Sequence, residues 1–483
     1  MADADFDSKT RAFLSWFQAL PGATFHPAIE IQDLRGRNAG RGIVATQDIP
    51  EDTVLFSIPR DAIINVLTSD LPKKIPGVFE ESTTGLEDAD NEADEEADET
   101  SSAPDSWVSL ILVLLYEFLQ GDQSRWKPYL DVLPQSFDTL MFWSNKELDE
   151  LQASAISAKV GRDEAENMFR ARVFPLIEQH ADIFYPAGAQ RLSEEELLHL
   201  AHKVGSTIMA YAFDLEKDEE DEEAEDGDEW VEDKEGKIMM GMVPMADILN
   251  ADAKPNAHIN HGDDALTATS LRPIAAGTEI LNYYGPLGNG ELLRRYGYVT
   301  ETHSRHDVVE IPWTLVSSVL KDVLAVDDVT YGKAMNEIEE EELDDIFILE
   351  RDLDEPDDKG EISTDATMKH LPADIQEQIA TVLKAIKKVN PELIPDKQKR
   401  DELLYTILHR VFELRLAQYP TPIAEDEATL VNNVVSGRQQ MANVVRWGEK
   451  VLLREAIRLA QQKKESIVPN GHNTEPSSKR QRR

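Results

Sequence analysis

Apolar side chains at Phe13, Leu14, Trp16, Phe17 and Leu20 recur at helical spacing, which predicts a short amphipathic helix over 8–20. Residues 41–58 follow another rhythm. RGIVATQDI and TVLFSI are rich in β-branched residues, and Pro50 and Pro59 mark their edges, so short strands and turns are expected. Helical spacing takes over in Ser106–Gln120, Asn145–Arg170 and Ser193–Tyr211, and Ser193-Glu-Glu-Glu has the form of a capping box. Between 238 and 299, HIN, ALTATS and GTEILNYYG return to strand composition, with Gly and Pro between them. From about 305 the chain is helix-rich again. Residues 400–419 and 438–463 are amphipathic, with Pro420 and Pro422 separating them.

This order predicts an α+β protein. An N-terminal helix occupies 1–24. A β-rich domain spans 25–304 and is split by a helical insertion at about 106–213. A helical domain covers 305–463, and a disordered, basic-ended tail covers 464–483. Strands do not alternate with helices, which argues against a doubly wound parallel sheet. The longest apolar run, Trp107 to Leu119, is about 13 residues with Glu117 inside it, well short of the ~20 that a membrane span needs. The acidic, polar start MADADFDSKT carries no secretory signal. No membrane association is expected.

Charge changes the picture in three places. The 483 residues carry a net charge of −44, and it is not evenly spread. Residues 80–99 hold 11 acids and no base, 216–235 hold 14 acids against Lys217 and Lys234, and 337–358 hold 13 acids against Arg351. Such runs repel themselves and bury little, so acidic inserts at about 80–100 and 216–235 and an acidic run at about 337–358 read as mobile. They are solvating loops or a lure for a basic partner. The acidity argues against direct nucleic-acid binding, because phosphates are repelled. Cysteine is absent, which removes disulfides, thiol nucleophiles and cysteine-ligated zinc. No metal site is expected.

Three segments stand out for chemistry. Gly36-Arg-Asn-Ala-Gly40-Arg41-Gly42-Ile43 lets backbone approach a ligand closely. A dinucleotide fingerprint would need a helix directly after the glycines, whereas strand, turn and strand follow here. Met242-Val-Pro-Met-Ala-Asp-Ile-Leu-Asn250 ends in an amide that both donates and accepts, and Pro255-Asn256 follows it. Gly277-Thr-Glu-Ile-Leu-Asn282-Tyr283-Tyr284-Gly285 places two tyrosines at the end of a strand-like run. Alone, each segment reads as a turn, a cap or core packing.

In this order the three segments resemble the SET-domain protein-lysine methyltransferases. Gly40-Arg41-Gly42 is similar to the family's N-terminal glycine motif, Leu249-Asn250-Ala-Asp-x-x-Pro-Asn256 to its asparagine motif, and Tyr284-Gly285 with Glu291 to Val299 to its tyrosine motif and the segment after it. The long helical insertion, MVPMADILN, and RQQMANVVRWGEKVLLREA in the last helix resemble the Rubisco and ribosomal-protein methyltransferase group, its fungal ribosomal members above all. Ala251 departs from the pattern, since most members have His there.

The resemblance implies a β-rich SET domain followed by an all-α substrate-binding domain. It implies S-adenosyl-L-methionine as cofactor, held by Gly40, Arg41, Gly42, Tyr211, Asn250 and Tyr284, with Tyr284 as the catalytic residue. Tyr283 and Tyr296 are packing residues or line the lysine or adenine site. Methyl transfer needs a neutral amine, yet free lysine has a pKa of ~10.4, so a desolvating channel is expected. The implied substrate is a basic protein, a large-subunit ribosomal protein first. Two rivals stand beside it: methylation of a histone or other nuclear protein, and a catalytically dead SET scaffold acting as an acidic binder. The tail Lys479 to Arg483 reads as a nuclear import signal or a solubilising end, which leaves nucleus and cytoplasm as compartments. The motifs do not fix an oligomeric state.

Overall fold

Residues 2–37, 39–79, 106–215, 239–338, 343–362 and 365–467 are described by the structure, a computed structural model. The two acidic inserts and Lys479 to Arg483 lie outside the described residues. The N-terminal helix α1 (Ala2–Gln18) is longer than expected and buries Phe13 and Phe17. Strands β1 (Thr24–Phe25), β2 (Ile29–Asp33), β3 (Arg41–Ala45) and β4 (Val54–Pro59) follow it. After α2 (Ser106–Gln120) and α3 (Glu194–Tyr211) come β5 (Ala212–Asp214), β6 (Met240–Met242), β7 (Asn250–Ala251), β8 (Ala257–His261), β9 (Ala265–Ser270) and β10 (Glu279–Asn282).

Two four-stranded sheets result, in the orders β1-β4-β9-β8 and β2-β3-β10-β7. Every pairing in them is antiparallel except β10 with β7, which run parallel. The alternation in β9 (ALTATS) sends Leu266, Ala268 and Ser270 inward, as a half-buried strand requires. Helix α2 is buried over most of its circumference, from Val108 to Glu117, and packs in one core with α1, α3 and the sheets. The buried Glu117 carboxylate is held by the hydroxyls of Ser69 at 2.9 Å and Ser124 at 2.6 Å. The capping box at Ser193 and Glu196 is present at the start of α3.

Asn145–Arg170 is not the continuous helix that its spacing suggests. It is broken into turns at Asn145–Leu148, Asp149–Leu151 and Ala155–Lys159 and a short helix at Arg162–Met168. Gln152 and Gly161 take left-handed φ values of 56° and 65°, and Ser144 and Ser154 cap new turns in between. The break lets this stretch follow the second domain.

Helix α4 (Asn289–Tyr296) leads to that domain, whose core takes in β11 (Val309–Pro312), α5 (Trp313–Leu324), α6 (Asp328–Met335) and β12 (Ile346–Leu349). It closes with α7 (Ala373–Val389), α8 (Lys397–Ala417), α9 (Ile423–Val431) and α10 (Arg438–Ile467). The third acidic run is therefore not a mobile insert. Outside 339–342 it is placed, because Phe347 and Leu349 are buried while β12 pairs with β11. Helix α10 also extends past the expected boundary at 463.

Two large cores, one per domain, are joined by a small one of Leu140, Trp143, Leu151, Ile156, Leu293, Ala442 and Val445. Beside it lies a buried polar seam. Lys450, fully buried, pairs with the buried Asp426 and donates to Thr421 O and Oγ1, both at 2.8 Å. Arg446 binds Asp426 at 3.1 Å and donates to Glu150 O at 2.6 Å. Among the described residues no helix is long and apolar enough to cross a membrane. Asp426→Ala strands Lys450 and Arg446 without their shared carboxylate, so stability should fall by about 3–5 kcal/mol. Urea unfolding of the variant checks it, and a loss under ~1 kcal/mol would mean that the seam is not structural.

Candidate active site

Three distant stretches meet at β10. On one edge Ile280 pairs with Ile43 in β3, and on the other Leu281 and Asn282 pair with Asn250 and Ala251 in β7. Asn256 closes the junction, donating from its amide to Glu279 O at 2.8 Å and accepting from Leu281 N at 2.8 Å. The amide of Asn250 donates to Arg41 O at 3.1 Å and to the Glu279 carboxylate at 2.7 Å. Both N–H groups of Asn250 are therefore used within the protein, and its amide oxygen remains to face a ligand. Gly42 makes the closure sterically feasible. A Cβ there would stand 2.4 Å from Leu34 Cδ1, 2.8 Å from Glu279 Oε1 and 3.0 Å from Asn250 Nδ2.

Gly40 sits at the turn before β3 with φ 64°, and space for a Cβ is open on its outer side. The Arg41 guanidinium stacks on the Phe6 ring at 3.8 Å and donates to Thr10 Oγ1 at 2.9 Å and Val132 O at 2.8 Å, which pins α1 against β3. Beside these groups is a cavity of about 510 Å³ whose walls include Phe6, Gly40, Arg41, Tyr211, Asp247 and Asn250. A second cavity, of about 340 Å³, is walled by Tyr211, Phe213, Asp247, Tyr283, Tyr284 and Tyr296. Tyr211 and Asp247 belong to both.

Strand β10 ends at Asn282, so Tyr283 and Tyr284 lie beyond it, and both line the second cavity. The Tyr284 hydroxyl donates to Leu249 O at 2.7 Å, and its ring stacks on Tyr296 at 4.8 Å. Burial, with other tyrosines close by, pushes the Tyr284 phenol far above its ordinary value. Burial also raises Tyr211 and Tyr298, and lifts Tyr296 to about 12. These rings are neutral at physiological pH.

Of the residues expected from sequence, Gly40, Arg41, Tyr211 and Asn250 meet at the first cavity and Tyr284 at the second. Gly42 lies beneath them and is silent as a wall. Ala251 is buried in β7 and pairs with Asn282. Sequence reasoning missed Asp247 and Tyr129. Tyr129 OH donates to Asp247 Oδ2 at 2.6 Å. The available signal was an acid inside an otherwise apolar run, Met242 to Leu249.

A family profile described as SET domain matches residues 40–285, and one described as Rubisco LSMT substrate-binding matches 353–453. The chain is 34% identical over 326 residues to ribosomal lysine N-methyltransferase 4 of Saccharomyces cerevisiae, an alignment covering 66% of this chain and 61% of that protein. It is 26% identical to N-lysine methyltransferase setd6 of Salmo salar over 93% of this chain and 96% of that one. Against SETD6 of Homo sapiens it is 27% identical over 90% and 88%. A solved SET domain of LSMT bound to lysine and AdoHcy superposes with a TM-score of 0.60 at 18% identity, covering 95% of this chain and 92% of that one. Rubisco LSMT bound to AdoMet gives 0.58 at 17% identity over 95% and 93%. At such identity the likeness shows the fold. The SET profile spans half of the chain and takes in the glycine turn, Asn250 and Tyr284, so the chain belongs to the SET-domain family of protein-lysine methyltransferases, in the branch with a Rubisco LSMT-type substrate-binding domain.

Proposed function

We propose that this protein transfers a methyl group from S-adenosyl-L-methionine to a lysine side chain of a basic protein, a large-subunit ribosomal protein first. The observation that carries the reading is the pair of cavities that share Tyr211 and Asp247 as a common wall. An in-line displacement needs donor and acceptor on opposite sides of one narrow passage, and two cavities meeting at one wall supply that arrangement.

The donor set of the first cavity fits the cofactor. Gly40 leaves room for a polar ligand against bare backbone, the Asn250 amide oxygen accepts no hydrogen bond among the described residues, and Arg41 fixes the turn. When bound there, S-adenosylmethionine supplies a methyl group made electrophilic by its sulfonium. The second cavity suits a lysine stem, whose methylenes pack on the rings of Tyr283, Tyr284 and Tyr296. Water is largely displaced by those rings, which lowers the pKa of an entering amine. Tyr284 is a neutral phenol, too weak a base to take a proton at pH 7. Its role is to hold geometry. With its hydroxyl anchored on Leu249 O, its oxygen lone pairs are presented to the amine.

Several observations support a basic protein as substrate. A cleft of about 730 Å³ opens beside Gly285 to Leu287, directly after Tyr284, and Glu350, Asp352, Asp354 and Glu355 of the third acidic run line it. Five cations share that cleft: Arg351 is held by Glu455 at 2.9 Å, Arg415 donates to the carbonyls of Glu310 and Ala153, Lys159 pairs with Glu310, Arg295 pairs with Glu291 at 3.1 Å, and Arg305 also lines it, so the acidic wall is the one formed by 350–355. Acidic walls raise the association rate of a basic chain. The ribosomal assignment draws on the yeast relative; the setd6 relatives, aligned over nearly their full length, keep other lysine-bearing proteins open as substrates. An intact Tyr284, Gly40 and Asn250 argue against a dead scaffold.

The test is incubation with labelled cofactor and total ribosomal protein, beside histones, with the label located by mass spectrometry. Label on a large-subunit protein is expected. Label on histones alone would overturn the ribosomal part, and no transfer to any lysine would overturn the activity. Gly42→Ala should weaken cofactor binding about tenfold or more while the protein stays folded, because the added carbon drives Asn250 and Glu279 away from β3. Calorimetry checks it. Tyr284→Phe keeps the ring stack and deletes the hydroxyl, so kcat should drop about 100-fold, or ~2.7 kcal/mol of barrier, with cofactor affinity retained. Tyr283→Phe in the same assay should cost less. The reverse order would move the catalytic assignment to Tyr283.

A further inference from the structure

We propose that Asp247 is a catalytic residue whose Oδ1 accepts the proton that the substrate lysine must lose before it attacks. The proposal rests on the lysine-methylation reading above.

The geometry comes first. Asp247 and Tyr211 are the two residues common to both cavities, and of the two only the carboxylate can act as a base. Its oxygens are differently engaged. Oδ2 accepts from Tyr129 OH at 2.6 Å, while Oδ1 is buried and accepts no well-aligned hydrogen bond among the described residues, although the backbone N–H groups of Asp247 and Met245 are close enough to favour the carboxylate. A buried carboxylate oxygen left unpaired costs free energy unless a donor visits it. A lysine ammonium entering the second cavity is such a donor.

The surroundings suit the task. Facing Asp247 are Tyr129 from the short helix Lys127–Leu130, Tyr211 at the end of α3, and Tyr284 after β10. All three phenols are pushed upward and stay neutral. On the first-cavity side the charged groups are Asp5, Lys9, Arg35, Arg41 and Asp131, and on the second-cavity side Asp214 and His261. Asp214 and His261 are exposed, at the mouth of the second cavity. Burial lifts the Asp247 carboxyl to about 7, and the Tyr129 hydrogen bond acts against that rise. A base titrating near the working pH is in the useful range.

The step balances. An Nζ–H bond of the ammonium breaks and an Oδ1–H bond forms. The electron pair left on Nζ takes the methyl group, and the carbon–sulfur pair stays on the departing thioether of the S-adenosylmethionine already named. Oδ1 is closed to water in the resting fold, so a small shift of the Asp247 side chain, which lines both cavities, opens it to the ammonium and later releases the proton to water in the first cavity. Asp247 must be ionised to accept, so the rate should rise as pH climbs through about 7.

The experiment is the pH profile of kcat/KM, from pH 5.5 to 10, for wild type, Asp247→Asn and Tyr129→Phe on one protein substrate. Thermal melting and cofactor calorimetry show that each variant is folded. Asparagine keeps an oxygen for the Tyr129 hydroxyl but cannot take a proton. Asp247→Asn should lose about 100-fold at pH 7.5 and regain rate toward pH 10, where free lysine deprotonates unaided. Tyr129→Phe removes a bond that favours the carboxylate, so its ascending limb should move to higher pH. Wild-type rate and profile in Asp247→Asn would overturn the proposal, as would a limb that shifts in His261→Gln but not in Tyr129→Phe. A wild-type protein that transfers no methyl group would overturn the lysine-methylation reading itself, which an active wild type with an unaltered Asp247→Asn would leave standing.

Discussion

The site depends on β10 being gripped along both edges. An antiparallel neighbour, β3, holds one side, and a parallel two-residue strand, β7, holds the other. Backbone pairing over so short a length is weak, and side chains complete it. Asn256 acts as an extra rung for β10, and Asn250 ties β7 to both β3 and Glu279. Once the grip is formed, Leu249 O has a fixed position, and Tyr284 takes its own from that carbonyl. The catalytic candidate is thus placed by two asparagines and a missing side chain at Gly42, none of which needs to touch the reacting atoms.

Much of this was legible in the chain and some was not. Local signals survived: Ser106–Gln120 is helical over that span, the Ser193 cap is present, and ALTATS alternates as a strand. These depend on residues within one turn or one pleat of each other. Asn145–Arg170 failed because helical spacing was overridden by contacts with a partner 300 residues away. Ser154 donates to Glu449 at 2.6 Å and Arg446 reaches Glu150 O, and the backbone bends to meet them. The run at 337–358 failed for a related reason. Its charge predicts a mobile loop, yet the buried Phe347 and Leu349 are enough to seat β12. At the site, the glycines, Asn250 and Tyr284 were visible as motif letters. Asp247 was not, because its meaning comes from burial between two cavities, which composition does not report.

The seam between the domains shows what fixes the substrate-binding half relative to the site. Lys450, Arg446 and Asp426 are charged groups withdrawn from water, an arrangement that repays its desolvation only when every partner is in place. Apolar contacts such as those of Trp143 and Val445 tolerate sliding, whereas a buried ion cluster does not. The ion cluster itself fixes α9 against α10, and the bonds from Arg446 to Glu150 O and from Ser154 to Glu449 tie α10 to the insertion.

A last tension is electrostatic. A strongly acidic protein attracts cationic lysines, yet the reaction consumes a neutral amine, and a negative surface holds an ammonium in its charged form. The structure separates the two demands in space. Glu350, Asp352, Asp354 and Glu355 line one wall of the outer cleft, where water screens them and attraction costs nothing in reactivity. In the inner cavity Tyr211, Tyr284 and Tyr296, all with raised pKa values, offer oxygen atoms without a net charge, and Asp247 is the buried carboxylate among them. Capture at the outer cleft and proton transfer to one buried carboxylate thus fall to different depths of one path, which lets an acidic enzyme use an uncharged nucleophile.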